Sequence, residues 1–171
     1  MSGIISDNVG RSSGLVKAAG GGGKLLQMVS VTKDEEFTAT GGAPSTITNG
    51  GQLFTYDFTP TAASSTILVM TSTVCISEES NGGNMCWLSL WNGATFISAN
   101  SGSSLDSRFA GSILMAHQSI CDTFSAGSTS TRAIQVRGGM DGGTGYLNGA
   151  SSPNYNGSSA RCSMVIQEIG A

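Results

Sequence analysis

The most constraining feature of this chain is a succession of short apolar and β-branched runs. Each is closed by a Gly-, Ser- or Asn-rich stretch, and none shows sustained apolar spacing at the helical period. From Lys24 onward the runs fall at residues 25–31, 52–59, 66–76, 85–91, 94–98, 109–120, 132–137, 145–148 and 162–169. The 109–120 run is long enough for a helix, but Gly111, Ser112 and its β-branched residues favour a strand. In 52–59, Phe54, Tyr56 and Phe58 alternate onto one face. In 66–76, Leu68, Met70, Val74 and Ile76 form an apolar face opposite Thr71 and Thr73. In 85–91, Cys86, Leu88 and Leu90 oppose Trp87 and Trp91, so both faces look covered. Asn92-Gly93 then supplies the positive-φ pair that a tight hairpin needs. The stretches 79–84, 101–106, 125–130, 138–143 and 148–159 read as loops, and Pro44, Pro60 and Pro153 fall in loops or at strand ends. These spacings predict an all-β protein, a jelly-roll-like β-sandwich over residues 24–171, preceded by an extended N-terminal arm over 1–23.

The arm carries Ile4, Ile5, Val9, Leu15 and Val16 without a regular period, and Gly20 to Gly23 closes it as a hinge. So many aliphatics are costly to leave in water, so the arm is expected to dock on a partner. Charge points the same way. Only 11% of the 171 residues are charged, against roughly a quarter in ordinary globular chains. A solitary sandwich places Lys, Glu and Asp on its outer faces and edges to prevent pairing. Their scarcity implies outer faces that are themselves covered, by other subunits or by a second layer of the same domain. Trp87 and Trp91 are the candidate anchors of a subunit contact.

The same composition excludes several classes of function. A net charge of −3 and scattered basic residues exclude a nucleic-acid surface. No apolar stretch is long enough to span a bilayer, and the N-terminus lacks the pattern of a secretory signal. Cys75, Cys86, Cys121 and Cys162 are far apart and are expected to be buried core thiols. His117, the single histidine, shares a strand side with Ile113 and Met115 and reads as structural. Asp34-Glu35-Glu36 and Glu78-Glu79 lack the alternation of a calcium loop. Gly20–Gly23 with Lys24 leads into a strand rather than a helix, so it is no phosphate loop. Neither a catalytic constellation nor a metal or cofactor site is expected, and sparse acids such as Asp57 and Asp122 disfavour a glycan-cleaving enzyme.

The opening stretch, Ser2-Gly-Ile-Ile-Ser-Asp-Asn-Val-Gly-Arg11-Ser-Ser-Gly-Leu15-Val16-Lys17-Ala18, resembles the head of virion structural proteins from tailed bacteriophages of marine bacteria and cyanobacteria. In that group such a head precedes a Gly/Ser/Thr-rich β domain with a terminal strand like Met164-Val-Ile-Gln-Glu-Ile169. The resemblance covers about the first twenty residues well and the remainder by pattern. It implies a homotrimer assembled in the bacterial cytoplasm and carried on the virion. The arm, with Ile4, Ile5, Val9, Arg11, Leu15 and Val16, would hold the major capsid protein or another virion protein. A capsid decoration or cement subunit is the expected role, because the shaft repeats of a fibre are missing. A fibre tip binding a host receptor, with a glycan as possible ligand, is the alternative.

Overall fold

The structure is a computed structural model that describes residues 23–33, 37–40, 46–72, 74–78, 85–104, 114–140, 144–147 and 161–171. Among the described residues the regular elements are all strands: β1 (Leu25–Lys33), β2 (Phe37–Thr40), β3 (Gly51–Phe58), β4 (Thr66–Thr71), β5 (Val74–Glu78), β6 (Met85–Asn92), β7 (Thr95–Ser104), β8 (Leu114–Gln118), β9 (Cys121–Ser125), β10 (Arg132–Met140), β11 (Thr144–Leu147) and β12 (Cys162–Ile169). They form three antiparallel ladders, β1-β12-β4-β9, β2-β11-β5-β8 and β3-β10-β6-β7.

The first two ladders are halves of one layer. β1 is followed in the chain by β2, β4 by β5, β8 by β9 and β11 by β12, and the paired elements keep the same order in both ladders. Joined in this way, the chain is an eight-stranded sandwich: the first, eighth, third and sixth strands face the second, seventh, fourth and fifth. That is the expected jelly roll. Its core combines Phe54, Phe58, Leu88, Leu90, Ile134 and Val136 of one layer with Ile67, Val69, Met164 and Ile166 of the other. Truncating a buried phenylalanine such as Phe54 should cost about 3–5 kcal/mol.

The run at 66–76 departs from its expected form. It is two strands, and its core side is the odd positions Ile67 and Val69, while Leu68 and Met70 are half-buried on the outside. The cause is a bulge. Met70 pairs with Cys121 and Val74 with Gln118, so the register advances four residues on one strand against three on the other. The extra residue inverts the alternation, and Val74 returns to the core at an even position. The junction is held by Thr71 N–H donating to Ile120 O at 2.8 Å and by Ile120 N–H donating to Thr71 Oγ1 at 2.9 Å.

Within the 109–120 run the described strand is β8; β9, which begins just after it at Cys121, is a strand not anticipated, and β2 is another. β7 and β10 also run on through Ser104 and Met140, into stretches expected to be loops. Pro60 lies two residues past the end of β3, where its missing N–H interrupts no ladder; Pro44 and Pro153 lie outside the described residues.

Candidate interaction surface

The layer containing β1, β12, β4 and β9 has an inverted polarity. Paired residues run across it in rows. On the outward side one row is Met28, Gln167, Leu68 and Thr123, and the next is Ser30, Val165, Met70 and Cys121. A third ends the face with Leu25, Ile169, Thr66 and Ser125. None of these positions is charged. Met28 is 59% exposed, and Leu25 and Cys121 are also exposed.

These four strands do carry three charged residues, Lys33, Asp122 and Glu168, but all lie on the inward phase. Lys33 alternates with Val29 and Val31, Asp122 pairs with core residue Val69, and Glu168 pairs with core residue Ile67. A sheet with one solvated face normally shows the reverse, apolar in and charged out.

Glu168 is fully buried, and its carboxylate is satisfied from four residues. Gln27 Nε2 donates at 2.7 Å, Ser65 Oγ at 2.7 Å, and the backbone N–H groups of Thr61 and Ala62 at 2.9 and 3.0 Å. The second amide proton of Gln27 serves Thr59 O at 2.8 Å. Burial alone would push this carboxyl up. The hydrogen bonds from Ser65, Thr61, Gln27 and Ala62 outweigh it and hold the group at about 2, so it is ionised. The group ties the 59–65 connection onto β12, at the end of the sandwich where β1 begins.

The opposite layer, β3-β10-β6-β7, presents Trp87, Ser89 and Trp91 outward, yet all three are buried within one chain. Arg137 donates from Nε to Asn49 O at 3.0 Å and from Nη2 to Gly50 O at 2.9 Å, which draws the 46–50 turn over this face. The Trp87 ring lies against Gly50 and Gly139; a Cβ on Gly139 would meet Trp87 Cζ2 at 2.9 Å. Trp91 donates Nε1–H to Ser89 Oγ at 2.9 Å and meets Phe96 edge-on at 5.3 Å. Exposures of 2% and 3% leave little of Trp87 and Trp91 for a partner. The covering present lies within the same domain, the 46–50 turn against Trp87 and Phe96 beside Trp91, so the structure shows the tryptophans as fillers rather than exposed anchors.

A groove of about 220 Å³ opens where β7 meets the β8–β9 corner, lined by Ser98, Asn100, Ser119, Ile120, Cys121 and Asp122 among others. Asn100 Nδ2 spans it to Ser119 O at 3.0 Å. Other candidates are dispersed. His117, on β8, is exposed. Cys86 and Cys162 are buried as expected, whereas Cys121 is exposed. Burial raises the Cys162 thiol to about 11. Asp57 and Asp122 stand on β3 and β9, at opposite edges of the sandwich, too dispersed for paired acid–base work. Among the described residues no group of His, Cys, Asp and Glu could hold a metal, and no helix is long and apolar enough to cross a membrane. The arm residues Ile4, Ile5, Val9, Arg11, Leu15 and Val16, the acidic run 34–36, and the loops 79–84 and 148–159 lie outside the described residues.

No protein-family model matches the chain, and no curated protein matches it. Several solved structures are similar to it at low identity. A chain from the structure of infectious bursal disease virus Gx strain is 14% identical over 85% of this chain and 37% of its own, with a TM-score of 0.38. One from infectious bursal virus derived T=1 particles is 12% identical over 85% and 36%, with a TM-score of 0.39. Dimeric latent PorU from Porphyromonas gingivalis is 14% identical over 90% and 14%, with a TM-score of 0.35. The chain thus spans a little over a third of the viral chains it matches. At these identities and TM-scores the likeness carries no argument about role.

Proposed function

We propose that the protein is a non-enzymatic structural component of a tailed-bacteriophage virion, a homotrimeric decoration or cement subunit of the capsid. The arm over residues 1–23 would supply the attachment to the major capsid protein or another virion protein. The observation that carries this reading is the outward face of β1-β12-β4-β9, which bears no charge although its strands contain three charged residues. A surface built in this way is suited to being covered in an assembly, and three weakly held arms on one particle would add through avidity. Deleting residues 1–23 tests the attachment. The shortened protein should fold and trimerise yet leave purified empty capsids undecorated; full occupancy without the arm would overturn the reading.

A second reading is a fibre-tip module binding a host receptor. The groove beside β7, with the hydroxyls of Ser98 and Ser119, the Asn100 amide and the Asp122 carboxylate, has the polar chemistry a sugar would meet. Under this reading purified protein blocks phage adsorption and the Asp122→Asn variant blocks it less; under the decoration reading neither protein has an effect.

A further inference from the structure

We infer that the outward face of β1-β12-β4-β9 docks against the same face of a second copy of this chain. The inference rests on the assembly reading above and names the surface that such an assembly would use. Three observations select the occupant and the mode.

The chain carries a net charge of −3, so two copies repel through most contacts. Rows such as Met28–Gln167–Leu68–Thr123 and Ser30–Val165–Met70–Cys121 place no charge against charge when the face meets itself. Secondly, edge-to-edge joining is disfavoured by inward-pointing charges on both edge strands, Lys33 on β1 and Asp122 on β9. The face is open while the edges are guarded, which favours sheet-on-sheet stacking at roughly 10 Å. Thirdly, the size fits a contact that works in numbers. Four strands at about 4.8 Å spacing and about six residues of length give a footprint of roughly 400 Å² per copy. That is about half a standard interface, so a single pair is weak and concentration-dependent. An isologous contact joins copies in pairs and is distinct from the contacts within a trimer.

Sedimentation of the full chain across a concentration series tests this. The wild type should double in mass as concentration rises toward the millimolar range. Gln167→Glu puts one negative charge at the centre of the face without changing side-chain shape and should weaken the doubling by about tenfold or more. Thr55→Glu adds the same charge at an exposed position of β3, in the other layer, and should leave the doubling unchanged. Melting curves confirm that both variants fold. Doubling that survives Gln167→Glu, or yields only to Thr55→Glu, overturns the choice of face and leaves the virion reading standing. A wild type that never doubles overturns the inference outright, while capsid decoration decides the virion reading separately.

Discussion

Ser65 Oγ lies 2.7 Å from Glu168 Oε1, both residues shut off from solvent, although 103 positions separate them in the chain. This contact joins the connection after β3 to the last strand. It also shows why the one acid of β12 is inward: Glu168 is the acceptor that the backbone N–H groups of Thr61 and Ala62 require.

Replacing Glu168 with Gln keeps the shape but turns an amide NH₂ toward some of those donors. The expected cost is about 2–4 kcal/mol in urea unfolding. The pH dependence has a definite sign. The folded carboxyl titrates at about 2, below its ordinary 4.5, so its contribution is complete above pH 4.5 and is lost as pH falls toward 2. The stability gap between wild type and Glu168→Gln should therefore narrow over that interval, and a gap that widens on acidification would count against the ionised assignment.

Gly50 adopts a φ of 69° in the turn that covers Trp87, and a side chain there would strike both the indole and the Gly138 carbonyl. Gly50→Ala is expected to lose about 2–4 kcal/mol through backbone strain and displacement of the ring. Gly93, with a φ of 58°, has open space around it, so Gly93→Ala should cost only the backbone term, about 1 kcal/mol. Thermal melts of the two variants separate packing from conformation.

Much of this architecture was legible in the sequence because period-2 alternation survives wherever a strand is regular. The run 162–169 is the clearest case. Cys162, Met164, Ile166 and Glu168 fall in one phase, and the structure buries all four. That phase already placed the acid among core residues, a signal that the scarcity of charge elsewhere helped to hide. The 66–76 run failed for a local reason: a single extra residue near Ser72 shifts the phase, and no composition rule marks it. Trp87 and Trp91 were rightly placed opposite Leu88 and Leu90. What covers Trp87 depends on the 46–50 turn and Arg137, contacts remote in sequence and invisible to periodicity. The uncharged outer face emerges only when rows from four separate strands are set side by side.

The tryptophan correction has a direct optical test. Both indoles are covered within one chain, so fluorescence should be blue-shifted and poorly quenched by acrylamide even in dilute protein. The quenching constant should not change as concentration rises and copies associate. Quenching that is strong in dilute solution and falls on association would restore Trp87 and Trp91 as subunit anchors.

Thiol chemistry separates the three cysteines whose side chains are described, and it reports on the outward face as well. Cys121 is exposed in the row with Val165 and Met70, whereas Cys86 and Cys162 are buried. Burial also keeps Cys162 protonated, with its thiol raised to about 11. A maleimide at neutral pH should therefore label Cys121 fast in dilute native protein, with Cys86 and Cys162 reacting only on unfolding. Peptide mapping assigns the sites. If the outward face pairs copies, Cys121 labelling should slow as concentration rises, and Gln167→Glu should restore the dilute rate. A Cys121 rate independent of concentration, in protein that sedimentation shows to be associated, would move the contact to another surface.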